Sequence, residues 1–124
     1  MKLEKAIATD GSPSQVLTKA VVRAGEHLGL PNAVLGRMLG LSPPTIRRMR
    51  RGQYILEGKA FELATLFIRI YRSLDAIVGG DAAVAAQWLQ SENTVLKDKP
   101  VNMLQKVTGL FNVIQYLDSR RAIS

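Results

Sequence analysis

The chain has 124 residues, enough for one compact domain or two small helical modules sharing a core, and at 47% hydrophobic it is not disordered by composition. With no cysteine, disulfides, thiolate chemistry and cysteine-based zinc sites are excluded, and the one histidine, His27, reads as a surface or boundary residue of a helix. A formal net charge of +7 favours an anionic partner, either nucleic acid or an anionic surface.

The patterned stretches have helical spacing and β-branched residues do not alternate, so an all-α fold is expected. No apolar run approaches the ~18–20 residues of a membrane span. Met1-Lys2-Leu3-Glu4-Lys5 is not followed by the apolar core of a signal peptide, so a cytoplasmic location is expected.

Residues 1–14 read as a loose arm, with a turn-forming cluster at Asp10-Gly11-Ser12-Pro13. A helix is expected from Ser14 to Leu28, because Leu17, Ala20, Val21, Ala24 and Leu28 recur on one helical face, and Gly29 stops it. Next comes a short helix over Asn32 to Leu39, with Asn32 at or near its N-cap and Gly40 at its end. Ser42 caps a further helix with Pro43 at its first position, where the missing N–H costs nothing; it runs to Arg51 and Gly52. A loop follows, then a long apolar helix from Lys59 to Ile77, expected to be core that joins the modules rather than an oligomer interface. Gly79-Gly80 breaks that helix and divides the chain into modules 15–79 and 80–124. Behind it, Asp81 caps a helix to Leu89, Pro100 opens one to Val107, and Gly109 separates that from a last helix carrying Leu110, Val113, Ile114 and Leu117. Ser119 to Ser124 is a trailing tail.

The most informative stretch is NAVLGRMLGLSPPTIRRMRRG, residues 32–52. Two short helices meeting at a tight turn need a small residue where they touch, supplied by Gly36, and a residue tolerant of positive φ in the turn, supplied by Gly40. Leu35, Leu39, Leu41, Ile46 and Met49 fill the facing sides. With those positions committed to packing, Ser42, Pro43, Pro44, Arg47 and Arg48 point toward a major groove, with Thr45 beside them. Arg50 and Arg51 extend toward phosphates, Arg37 lies on the preceding helix, and the helix start at Asn32 offers free N–H groups to a phosphate. From Arg37 to Arg51 there are five arginines and no acidic residue, which converts diffuse charge into a footprint. The segment resembles the Xre/Cro-type helix-turn-helix, with Gly36 where alanine is usual. Pro43-Pro44 leaves few donors at the start of the reading helix, so readout rests mainly on Arg47 and Arg48.

Residues 82–117 read as a small three-helix unit. Trp88, the only tryptophan, is read through its spacing with Val84 and Leu89 as a core residue, with a binding anchor as the alternative. Asn93 sits in a turn, where it either accepts positive φ or caps the backbone. The order Trp88-Leu89, Asn93, Leu96, Pro100, Leu104, Gly109, Val113, Leu117 is similar to the toxin-binding domain shared by Xre, MbcA and ParS antitoxins, and with the helix-turn-helix the resemblance spans residues 16–118. It implies an all-α antitoxin that dimerises, represses its operon by binding operator DNA, and neutralises a RES-domain, NAD-consuming toxin encoded by an adjacent gene. Its C-terminal segment would block the toxin's active site. The segment would be Tyr116, Asp118, Ser119, Arg120, Arg121, Ala122, Ile123 and Ser124, with Trp88 and Asn93 also touching the toxin. Many relatives carry a glycine near the close of the last helix, where this chain has Asp118-Ser119-Arg120-Arg121.

The alternative is a stand-alone repressor whose C-terminal module dimerises or senses a ligand. An enzyme is disfavoured, since no Ser/His/Asp set, Gly-rich phosphate loop or metal-ligand cluster occurs; Glu57 and Glu62, the nearest carboxylates to a catalytic pair, read as surface residues. No cofactor is expected.

Overall fold

The computed structural model describes residues 11–123, and side chains through Arg121. Residues 1–10 of the expected arm, the side chains of Ala122 and Ile123, and Ser124 lie outside the described residues. Among the described residues seven helices follow one another: α1 (Pro13–His27), α2 (Asn32–Leu39), α3 (Pro43–Arg50), α4 (Gly58–Ile77), α5 (Ala82–Gln90), α6 (Pro100–Met103) and α7 (Val107–Ile123). Between α5 and α6 an isolated antiparallel bridge pairs Asn93 with Asp98. Among the described residues no helix is long and apolar enough to cross a membrane.

Part of the expected arm is helix cap. Ser12 is the N-cap of α1, its side chain accepting from Gln15 N at 3.1 Å, and Pro13 occupies the first turn. The reason is the one that applies at Ser42-Pro43: a hydroxyl satisfies an orphan N–H and proline has none to lose.

Helix α4 is the axis of the molecule. It packs against α1, α2, α5 and α7, and therefore touches both modules. Ala64, Phe67, Ile70 and Leu74 are almost completely buried along it. They join Val21, Ala24, Leu35, Leu39, Ile46 and Met49 from the first three helices with Leu89, Leu104, Leu110, Val113 and Leu117 from the C-terminal part, in one continuous apolar cluster. The helical periodicity of α4 is what permits this, because a helix apolar on most sides can face two neighbours at once. Thr18 and Ser73 are polar residues that enter the core. The Thr18 hydroxyl donates to Ser14 O at 2.6 Å and accepts from Leu56 N at 3.0 Å, tying α1 to the segment before α4. Ser73 serves the end of α7, where Arg121 bonds its hydroxyl.

The two tight helix junctions depend on glycine for different geometric reasons. Gly40 takes φ +72° at the end of α2. Gly36 has ordinary helical geometry, but a Cβ there would collide with the carbonyl oxygen of Leu41, so it is the close approach of the turn that requires it.

Gly109 departs from expectation. It does not separate two helices; it lies inside α7, which starts at Val107, while α6 is a single turn ending at Met103. A Cβ on Gly109 would run into the Met103 carbonyl. The glycine lets the end of α6 sit directly against the first turn of α7. Gly109→Ala is expected to lower stability by about 1–3 kcal/mol through this overpacking, read as a lower melting temperature. A neutral or stabilising result, the usual outcome for glycine-to-alanine in an open helix, would disprove the close approach.

The tail also differs. Helix α7 continues through Ile123 rather than ending near Leu117, because polar ties hold its last turns to α4.

Candidate functional site

Helix α3 presents two faces. Ile46 and Met49 are buried, while Pro43, Pro44, Arg47, Arg48 and Arg51 are exposed, with Thr45 half-buried. The first turn is fixed by Ser42, whose Oγ accepts from Thr45 N at 3.3 Å and lies 3.0 Å from Thr45 Oγ1. Both hydroxyls are therefore engaged locally at the helix entrance. Arg48 lies over the Tyr54 ring, 5.9 Å from its centroid. This stacking positions the guanidinium without neutralising it. Arg47 and Arg51 stand in solvent.

Three residues expected at the DNA are placed differently. Arg50 does not extend outward: it is half-buried and donates from Nε to Asn32 Oδ1 at 2.7 Å and from Nη2 to Leu30 O at 2.9 Å. Asn32 is consequently not the cap of α2. Pro31 is the N-cap residue, without a side-chain bond, and the Asn32 amide is taken up by Arg50. Helical phase explains this, since position 50 follows Met49 and Ile46 onto the inner side of α3. Arg37 is directed to the other module, where its Nε donates to Gln105 Oε1. Only three-dimensional proximity across 68 positions reveals that bond.

In the C-terminal module the buried face of α5 is Ala85 and Leu89, not Val84. Val84 is 46% exposed, and Trp88, one turn on, is half-buried at the edge of the core. The Trp88 ring stacks on Tyr116 of α7, with centroids 6.2 Å apart and planes 18° from parallel. Arg120 continues the array, 5.9 Å from the Tyr116 centroid and 3.3 Å from its hydroxyl. Tryptophan, tyrosine and arginine are thus layered along one edge, with Ile77 partly exposed beside them. Stacked aromatic and arginine side chains are the chemistry of interface anchors.

The loop between α5 and α6 resolves the role of Asn93. Its Oδ1 accepts from Val95 N at 3.0 Å and Leu96 N at 2.9 Å, so it caps the turn. The positive φ falls on Lys97 instead, at 65°. Asp98 completes the loop. Its carboxylate accepts from Asn102 Nδ2 and from Lys99 N, and these two bonds hold its pKa below the ordinary value of 3.8. Asn93→Ala is expected to destabilise the chain by about 1–2 kcal/mol, because two amides lose their acceptor. A thermal melt indistinguishable from the parent would show that water replaces the carboxamide.

The end of α7 is fastened to α4. Asp118 pairs with Arg69 at 2.5 Å, and Arg121 donates to the buried Ser73 Oγ at 3.1 Å. Ser119 is exposed on the intervening turn. Asp118 and Arg121 are therefore held against the chain's own helix.

Two family models match, one after the other. Residues 10–69 match the antitoxin Xre-like helix-turn-helix domain, and residues 73–122 match the antitoxin Xre/MbcA/ParS C-terminal toxin-binding domain. The chain belongs to the Xre-type antitoxins. The helix-turn-helix of this antitoxin is α2–α3, and its toxin-binding domain takes in the last turns of α4 with α5, α6 and α7. The Trp88–Tyr116–Arg120 array falls wholly within that second domain. No curated protein matches the antitoxin significantly.

Proposed function

We propose that this antitoxin belongs to a type II pair, capping a RES-domain, NAD-consuming toxin with its C-terminal segment and repressing its own operon as a homodimer through α3. The observation that carries the reading is the joining, in one chain, of an exposed arginine face on a capped recognition helix to a matched toxin-binding domain. Arg47, Arg48 and Arg51 offer charge and forked donors for phosphates and guanine edges. Asn32 and Arg37, already engaged with Arg50 and Gln105, support the motif from behind rather than reading bases.

On the toxin side, Trp88, Tyr116 and Arg120 are the anchors, and the end of α7 enters the active-site mouth. Arg120 is the best placed for a carboxylate of the toxin, because guanidinium and carboxylate form paired hydrogen bonds. Asn93 contributes indirectly, by shaping the loop that follows α5. The segment 118–124 supplies the rest of the cap, with Asp118 and Arg121 fastening it to α4 through Arg69 and Ser73. The RES identity of the toxin rests on the family resemblance.

The test is co-expression with the product of the adjacent gene. That product alone should arrest growth, and the full chain should restore it. A chain truncated before Asp118, and the full-length Arg120→Glu variant, should both fail to restore growth while still binding operator DNA. A harmless neighbour would favour the stand-alone repressor. Rescue by both variants would remove the inhibitory role of the α7 end.

A further inference from the structure

The seam where α4 meets α1 and α7 is concave, and neither the DNA-reading face nor the Trp88 array uses it. Its larger cavity, of about 350 Å3, is lined by Arg69, Arg72, Arg121, Thr65 and Ser73 over an apolar floor of Leu17 and Ile68. A second cavity, of about 140 Å3, adjoins it along the same seam. The two share Ile68 and Arg72, and the smaller adds Ala20, Ala24, Arg23 and Tyr71.

Four guanidiniums thus border one groove. Arg69 is paired with Asp118 at its edge. Among the described residues neither Arg23 nor Arg72 has an ion pair, and Glu26 and Asp75, one turn along α1 and α4, line neither cavity. Like charges gathered around a common space raise one another's energy, and an anion in that space reverses the sign of each interaction. Arginine is also the side chain best matched to phosphate, because its planar fork donates two parallel hydrogen bonds.

The two cavities differ in chemistry. The larger has three guanidiniums and two hydroxyls around its apolar floor, whereas the smaller sets Arg23 and Arg72 at the edge of alanines, Ile68 and the Tyr71 ring. The Tyr71 hydroxyl is already bonded to His27 Nδ1 at 2.8 Å, and burial together with the nearby Asp75 charge raises its pKa, so the residue presents a neutral aromatic surface. A polyanion attached to a flat aromatic group fits this division. Small-molecule sites occupy roughly 300–1,000 Å3, a range the larger cavity alone enters. A DNA duplex, by contrast, carries its phosphates on a convex surface and would touch only the rim.

We propose that the α1–α4–α7 seam is a nucleotide-binding site, with a di- or triphosphate held by Arg69, Arg72 and Arg121 and the base laid against Tyr71. The site shares Arg121 and the Arg69–Asp118 pair with the segment assigned to the toxin, but its test uses the free chain and needs no toxin, so the two readings can fail separately.

The experiment is calorimetric titration of the full chain with ADP, sodium pyrophosphate and adenosine at fixed salt. ADP should bind saturably, pyrophosphate about tenfold more weakly through loss of base stacking, and adenosine undetectably. Arg72→Gln, at the wall between the cavities, should weaken ADP by about tenfold or more through loss of a charge-assisted bond. Tyr71→Leu should weaken ADP but not pyrophosphate, while Tyr71→Phe should leave both unchanged. Arg47→Gln, on the DNA-reading helix, should change neither. Melting curves identify any variant that fails to fold, and the exposed position of Arg72 makes its variant the decisive one. The proposal is overturned by absence of ADP binding, by equal losses in Arg72→Gln and Arg47→Gln, or by Arg72→Gln weakening duplex DNA as much as ADP. The last result would make the groove a nucleic-acid face.

Discussion

Replacing Phe67 with alanine is expected to lower the stability of the chain by about 3–5 kcal/mol and to loosen both modules together. Phe67 is completely buried at the middle of α4 and belongs to the single apolar cluster that runs through both modules. Truncation to alanine removes the transfer free energy of an aromatic ring and leaves a cavity that helices on two sides cannot both collapse to fill. A domain of this size has only about 5–15 kcal/mol of net stability, so the loss is a large part of the whole. Denaturant unfolding followed by Trp88 fluorescence reports the C-terminal module, and far-UV circular dichroism reports all helices. The two curves should coincide in the parent and in Phe67→Ala, with the midpoint displaced in both. Separated curves would mean that the toxin-binding domain folds without the helix-turn-helix.

The second large effect is expected on DNA. Arg47→Ala with Arg48→Ala should weaken operator binding by about 1–3 kcal/mol for each guanidinium taken away from a base edge, with growth rescue intact. Both side chains are exposed on α3, and Arg48 makes only a stack on Tyr54 and a long bond from Nη2 to Gln53 O at 3.5 Å, so removing them leaves the core untouched. Arg50→Ala supplies the contrast. Its guanidinium bonds Asn32 and Leu30, so truncation there should lower the melting temperature and impair DNA binding only through the fold. Fluorescence anisotropy at several salt concentrations separates these, because removing a phosphate-binding cation lowers the salt slope and structural damage does not. An Arg50→Ala protein of parental stability that fails to bind DNA would place Arg50 at the interface after all.

Much of the architecture is legible in the order of residues. The capped starts at Ser42-Pro43 and Asp81, the turn at Gly40, and the apolar faces of α1, α4 and α7 are local matters of hydrogen-bond satisfaction and helical period. The helix-turn-helix is legible for the same reason, since a steep crossing needs a small residue at the crossing and a glycine turn within a few positions. Ser12-Pro13 carries the same cap signal as Ser42-Pro43, but the neighbouring Asp10 and Gly11 read more strongly as a turn.

Residue order alone therefore dictates helix content, the positions of most caps and turns, and the concentration of arginines between positions 37 and 51. Which of those arginines are available is a matter of how the helices pack. Arg50 turns inward to Asn32 and Arg37 reaches Gln105, and outside that stretch Arg121 reaches Ser73, each bond spanning between 18 and 68 positions of sequence. The same holds for Gly109, whose place inside α7 follows from the Met103 carbonyl packed against it, and for Val84, which the hydrophobic pattern puts in the core and the packing of Ala85 and Leu89 puts at the surface. Caps and periods are set within one helical turn, whereas the partner of a long flexible guanidinium is set by whichever acceptor a distant helix brings within reach.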